Sequence, residues 1–198
     1  MNLEQWTAVD RFFSDVMVPP DPVLEEALAA STAAGLPAIN VAPNQGKLLQ
    51  LLVRIHRAKT ILEIGTLAGY SSLWLARALP AGGRLITLEL DPKHADVARA
   101  NFKRAGLDSM IELRVGPAMQ TLPRLASQGL GPFDFIVIDA DKMSIREYFE
   151  WALKLARPGL VIVVDNVVRR GEVIESASSD DSVQGSGDSW KRCAAIDG

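Results

Sequence analysis

From residue 60 to residue 164 the chain keeps switching between short runs of aliphatic, β-type residues and longer stretches with helical spacing. The β-type runs are TILEI (60–64), RLITLEL (84–90), MIELRV (110–115), FDFIVI (133–138) and LVIVV (160–164). Helical stretches lie between them at 71–79, 92–105, 118–127 and 144–156. Such alternation requires right-handed crossovers and a parallel sheet with helices on both faces, because parallel strands cannot be joined by tight turns. No other feature of the sequence restricts the fold as much. The helix at 92–105 is well punctuated, with Asp91 as N-cap, Pro92 in its first turn and Gly106 just past its end. Pro123 is expected to interrupt the helix at 118–127, and Ser144 with Glu147 to form a capping box.

Two of the buried-looking runs end in acid. FDFIVI runs on into Asp139, Ala140, Asp141 and Lys142, and LVIVV into Asp165 and Asn166. In doubly wound sheets, ligands sit outside the carboxyl ends of the strands, near the point where strand order reverses. The acids therefore mark a ligand edge. If their strands are neighbours, the two ends lie about 5 Å apart.

The first 58 residues read as three helices. Trp6, Val9, Phe13 and Val16 share one face of the first, expected to be core or interface, and Leu48, Leu51, Leu52 and Ile55 form the apolar stripe of the third. A single domain over 1–175 is expected, with a helical part at 1–58 and a cofactor-binding sheet at 59–175. The stretch 176–198 is Ser-, Asp- and Gly-rich at its start and reads as a flexible or atypical tail. The net charge is −3 with no cationic block, which argues against nucleic acid as a partner. One cysteine, Cys193, rules out an internal disulfide and fits a reducing compartment. No leader pattern and no membrane-length apolar run is present, so the expected setting is the cytosol, with no membrane partner.

Three groups of residues carry chemistry. In LEIGTLAGYSS (62–72), Gly65 and Gly69 open a strand-to-helix turn that lets a ligand approach the backbone. Its spacing matches neither the dinucleotide fingerprint nor the P-loop, and Glu63 beside it suits a cationic ligand better than a pyrophosphate. Glu89 closes a strand roughly 20 residues past Gly65, where an acid holds both ribose hydroxyls. Asp139, Asp165 and Asn166 are hard oxygen ligands suited to Mg²⁺, and Lys142 beside them is a candidate base or charge-neutralising cation. His56 and His94 sit on charged helical stretches and read as surface residues.

Taken together, ILEIGTLAGYSSLWLARAL, RLITLELDP, FDFIVIDADK and VIVVDNVVRRGEV resemble the cation-dependent class I S-adenosylmethionine O-methyltransferases. That group includes the catechol and caffeoyl-CoA O-methyltransferases and many bacterial relatives. The segment at 39–52 is similar to the one that lines the mouth of the site in that family. The resemblance implies a Rossmann-like α/β fold and S-adenosylmethionine as cofactor. It implies a divalent cation, Mg²⁺ first with Mn²⁺ or Ca²⁺ as other occupants, and a small phenolic acceptor of catechol or hydroxycinnamoyl type. It also implies a homodimer. Glu63, Gly65, Thr66 and Ser71, with the backbone near Val41, would surround the methionine portion. Glu89 would hold the ribose, and Gly116, Pro117 and Ala118 would border the adenine. Asp139, also at the cofactor, would bind the ion with Asp165 and Asn166, and Lys142 would be the catalytic lysine.

Ala140 stands where the animal catechol enzymes carry histidine, which resembles the bacterial and plant type. The likeness fades near Gly185, so the family's last strands are expected to be missing and one sheet edge open. Two rival readings follow: a cofactor-binding, dimerising protein impaired in turnover by its altered carboxyl end, and a nicotinamide-dependent oxidoreductase. The second would need a further glycine in the first turn, and positions 67 and 68 are Leu and Ala.

Overall fold

The computed structural model describes residues 3–168. Three helices, α1 (Leu3–Met17), α2 (Pro22–Ala33) and α3 (Pro43–His56), precede the sheet. The alternation then runs β1 (Thr60–Ile64), α4 (Tyr70–Ala76), β2 (Arg84–Glu89), α5 (Pro92–Arg104), β3 (Ile111–Val115), α6 (Ala118–Ser127), β4 (Phe133–Ile138), α7 (Ile145–Lys154) and β5 (Ala156–Val164). The strands form one parallel sheet in the order β3-β2-β1-β4-β5. The order reverses between β1 and β4, so their carboxyl ends open the crevice. The expected tail at 176–198, the missing final strands and Cys193 lie outside the described residues.

Alternate side chains of β1, β2, β4 and β5 feed two cores, and β3 adds Ile111 and Leu113 to the first. Ile61, Leu85, Phe135 and Val137 pack with α2 to α5 through Leu24, Val53, Leu73 and Phe102. Leu62, Ile64, Ile86, Ile136 and Ile138 pack with α6 and α7 through Leu122, Leu125 and Phe149. A register shift between Phe133 and Phe135 turns Phe133 to the second face, which the period-two pattern alone would not give it.

Several local expectations change. The buried stripe of α3 is Gly46, Leu49, Gln50 and Val53, and Leu48 and Ile55 point outward. The cause is Gly46: a Cβ there would lie 2.4 Å from the Trp74 indole, so the helix turns its glycine face to α4. On α1, Trp6, Val9, Phe13 and Val16 are exposed rather than core, and Phe12 is exposed with them. The sheet face above is already filled by α2 to α5, leaving α1 to pack mainly against α3. Pro123 sits inside α6 without ending it. Ser144 makes no side-chain cap for α7. Instead Asp141 accepts the Ser144 N–H at 3.0 Å, and Glu147 closes no capping box. Asp91 does cap α5, accepting from Lys93 N at 2.7 Å. Pro158 and Gly159 lie within β5, which begins at Ala156.

At the edge away from the crevice, Asp134 ties three segments together. Its Oδ2 accepts the N–H groups of Lys59 at 2.6 Å and Thr60 at 2.9 Å, and its Oδ1 pairs with the Arg157 guanidinium. Burial works to raise its pKa, but the Arg157 bond and the two N–H groups outweigh burial and hold it down at about 2. The folded value lies below the ordinary 3.8, so the stabilisation is complete above 3.8 and is lost as pH falls through 2. Asp134→Asn is therefore expected to cost about 2 kcal/mol at neutral pH in denaturant titrations. Its difference from the native chain should vanish as the pH falls towards 2.

Candidate functional site

Above the carboxyl ends of β1, β2, β3 and β4 lies a cavity of about 1000 Å³. Most of the expected cofactor residues line it: Val41, Gly65, Thr66, Ser71, Glu89, and Gly116 to Ala118. So do Asp139, Lys142 and Asn166. Glu63 and Asp165 stand just behind the lining. No helix among the described residues is long and apolar enough to cross a membrane.

The floor is the turn after β1. Gly65 has φ +101°, and a Cβ there would fall 2.0 Å from the Asp139 carbonyl oxygen. Only glycine lets β1 and β4 end this close together. Gly65→Ala is expected to cost about 2–5 kcal/mol from the left-handed backbone and the collision together. It should also remove cofactor binding, as read by calorimetry. Full affinity in a folded Gly65→Ala chain would contradict the close approach.

Two carboxylates grip this turn. Glu89 Oε2 accepts the N–H groups of Thr66 at 3.2 Å and Leu67 at 2.7 Å, and Oε1 accepts that of Asp91 at 2.9 Å. His94 Nδ1 stands 3.5 Å from the same Oε1, and its ring lines the cavity. The surface reading of His94 is thus corrected: the first turn of α5 carries it over the end of β2.

Glu63 is fully buried. Its Oε1 accepts from Ser71 Oγ at 2.7 Å, and its Oε2 from Thr87 Oγ1 at 2.7 Å and from Ser72 Oγ. Burial pushes its pKa up to about 7, against the pull of the three hydroxyls and with help from the charge of Asp139. Sequence reasoning missed Ser72 and Thr87. The register Glu63↔Thr87 sets the second contact, and strand pairing is not written in local sequence.

At the other end, Lys142 Nζ donates to Asp139 Oδ1 at 2.7 Å and lies 3.5 Å from the Asp165 carbonyl oxygen. Asn166 donates to the same Asp139 Oδ1 at 3.3 Å, and its backbone N–H donates to Asp165 Oδ1 at 2.6 Å. Asn166 holds this place with φ +61°. The two acids emerge from paired strands, as Ile138↔Val164 are partners. Burial, then the Asp139 charge, raises the Asp165 pKa, and the Asn166 N–H and Lys142 only partly oppose this. Asp141 stands on the same loop. Tyr148 donates to its Oδ2, holding Asp141 low against burial, and burial with that bond pushes Tyr148 to about 12.

Among the described residues there is no group of three or more His, Cys, Asp or Glu suited to a metal. The Asp139, Asp165 and Asn166 set is a different kind of seat: two carboxylates and one carboxamide, all hard oxygen donors, once a half-turn of the amide presents its oxygen. Their mutual repulsion favours a cation between them. The donor chemistry fits a divalent ion.

Known proteins resemble this chain over most of its length. A family model described as O-methyltransferase matches residues 15–186. A catechol O-methyltransferase of Niastella koreensis is 55% identical over 185 residues, covering 93% of this chain and 84% of the relative. One from Mycobacterium tuberculosis is 51% identical over 175 residues, covering 88% and 78%. Among solved structures, an O-methyltransferase from Bacillus cereus in complex with SAH (S-adenosylhomocysteine) superposes with TM-score 0.96 at 55% identity, covering 98% of this chain and 88% of the other. The O-methyltransferase TomG from Streptomyces achromogenes, in complex with SAM (S-adenosylmethionine), does so with TM-score 0.93 at 46% identity, covering 98% and 87%.

Proposed function

The chain belongs to the O-methyltransferase family as an S-adenosylmethionine-dependent enzyme, and from that premise we propose a divalent-cation-dependent transfer to one hydroxyl of a catechol-like or hydroxycinnamoyl-type acceptor. The observation that carries this reading is the meeting of Lys142, Asp139, Asp165 and Asn166 at one end of the cavity, opposite Glu89. A cationic amine there shares one carboxylate with a pair of further oxygen donors, beside open space.

When bound, S-adenosylmethionine supplies a methyl group on a sulfonium, and the ion supplies Lewis acidity that makes a chelated hydroxyl easier to deprotonate. The residues of the chain do the rest. Glu89, its carboxylate already fixed by three backbone N–H groups, turns the remaining lone pair of Oε1 to the ribose. Gly65 lets the methionine portion lie against the backbone, with the Ser71 hydroxyl beside it and the Glu63 carboxylate behind supplying the negative charge. Gly116, Pro117 and Ala118 border the adenine. Asp139, Asp165 and Asn166 would hold the ion. Lys142 Nζ, kept in place by Asp139, either steadies the developing negative charge of the attacking oxygen as a cation or, when it has shed a proton of its own, takes the proton of that hydroxyl. Fixing both reactants in line contributes up to about 7–11 kcal/mol in favourable cases. The expected homodimer and cytosolic setting belong to the same proposal, with the outward aromatic face of α1 as the surface a second copy would cover.

The test is a methyl-transfer screen with Mg²⁺ over catechols, hydroxycinnamoyl esters and matched monohydroxy analogues, read by mass spectrometry. Product from vicinal diols and none from the monohydroxy analogues is expected. Equal turnover of both sets would sink the chelation reading. Family membership removes the support for a nicotinamide cofactor.

A further inference from the structure

Under the turn after β1 two buried threonine hydroxyls, those of Thr66 and Thr87, meet each other. Thr87 is fully buried on β2, and Thr66, in the turn after β1, is 2% exposed. Parallel pairing sets Thr87 beside Glu63, and Thr87 Oγ1 donates to Glu63 Oε2 at 2.7 Å. The hydroxyls of Thr66 and Thr87 are 2.6 Å apart. A threonine has one hydroxyl proton. Thr87 commits its proton to Glu63, so Thr66 must be the donor in the pair. The backbone N–H of Thr66 in turn donates to Glu89 Oε2 at 3.2 Å. The result is an unbroken line of hydrogen bonds from the Glu89 carboxylate, through Thr66 and Thr87, to the Glu63 carboxylate.

We propose that Thr87 is a positioning residue for S-adenosylmethionine: acting through Thr66, its hydroxyl locks the Glu63 and Glu89 carboxylates into the one mutual arrangement that fits the two ends of the cofactor. The inference rests on the reading of Glu63 as the methionine-side acid and Glu89 as the ribose acid. The physical reason is preorganisation. A carboxylate held at both oxygens cannot swivel, so binding need not order it. Take away the Thr87 hydroxyl, and Glu63 Oε2 keeps only Ser72. The Thr66 hydroxyl is then buried without an acceptor, a state that folded proteins avoid. Thr66 must turn to find another partner. It carries with it the turn whose N–H groups, at Thr66 and Leu67, hold Glu89.

The experiment titrates S-adenosylhomocysteine, which cannot react, into the intact chain by calorimetry, with thermal melts to confirm folding. For Thr87→Val a Kd about five- to tenfold weaker is expected, the scale of one ordinary net hydrogen bond. KM for S-adenosylmethionine should rise with it while kcat at saturation stays within about twofold. Thr87→Ser, which keeps the hydroxyl, should bind within about twofold of the native chain. In a Glu63→Leu background, Thr87→Val should cost a smaller factor than in the native chain, because the Glu63 limb of the line is already gone and only the Thr66 limb is left to lose. The inference is overturned if Thr87→Val binds as the native chain does. It is overturned equally if Thr87→Ser is as weak as Thr87→Val, or if the valine costs the same factor with and without Glu63. Should Thr87→Val fail to fold, Thr66→Val reads the same line from its other end. A native chain that binds no S-adenosylhomocysteine would overturn the cofactor reading itself, which separates the two failures.

Discussion

Lys142→Ala is expected to lower kcat by about 10²–10⁴-fold, the usual loss when a positioned acid–base group is removed. The affinity for S-adenosylhomocysteine should stay within about twofold, because Lys142 stands at the acid end of the cavity, away from Glu89 and the turn that holds it. Its nitrogen is fixed by Asp139 Oδ1 at 2.7 Å and lies near the Asp165 carbonyl oxygen. Only a proton acceptor or a charge at that spot suits the role. Lys142→Arg separates the two: it keeps the charge and gives up the acceptor. If arginine restores most of the rate, Lys142 acts as a charge; if it is as poor as alanine, Lys142 takes the proton. Near-native kcat in Lys142→Ala would remove the lysine from the mechanism.

Removal of divalent ions should have an effect as large. With EDTA, turnover is expected to fall by about 10³-fold or more, since the Lewis acid term is worth several kcal/mol. Excess Mg²⁺ should restore it. Binding of S-adenosylhomocysteine should survive chelation, because the hydrogen bonds that fix Glu89 and shape the turn come from the chain itself. The reason for expecting so strong a dependence lies in the acids. Asp139 and Asp165 stand at the ends of paired strands, and burial, then the Asp139 charge, raises the cost of charging Asp165. Lys142 answers only one of the two charges directly. A dication would neutralise both and still leave positions for two vicinal oxygens of an acceptor.

Much of this molecule was readable from its amino acids, for identifiable reasons. The parallel sheet follows from the alternation of periods, and the ligand edge follows from acids placed where apolar runs stop. Asp139, Glu89 and Gly65 are therefore found where the sequence points. What stayed hidden depends on pairing between distant segments. Thr87 looks like any strand threonine until β1 and β2 align it with Glu63. His94 looks like a surface histidine until α5 brings it over Glu89. Gly46 carries no hydrophobic signal, yet it decides which face of α3 is buried because the Trp74 ring needs its empty side. The outward aromatic residues of α1 mislead for the opposite reason: their spacing is that of a core helix, but the other helices leave no sheet face for them.

The claim beneath all of this is that Asp139, Asp165 and Asn166 form a seat for one divalent ion. Titration of Mn²⁺ followed by electron paramagnetic resonance measures that seat without any need for turnover. The account predicts about one tightly held ion per native chain, displaced by Mg²⁺, and its loss in both Asp165→Ala and Asn166→Ala while S-adenosylhomocysteine still binds. A native chain that leaves Mn²⁺ free, or an Asp165→Ala chain that holds it as firmly as the native one, would contradict it.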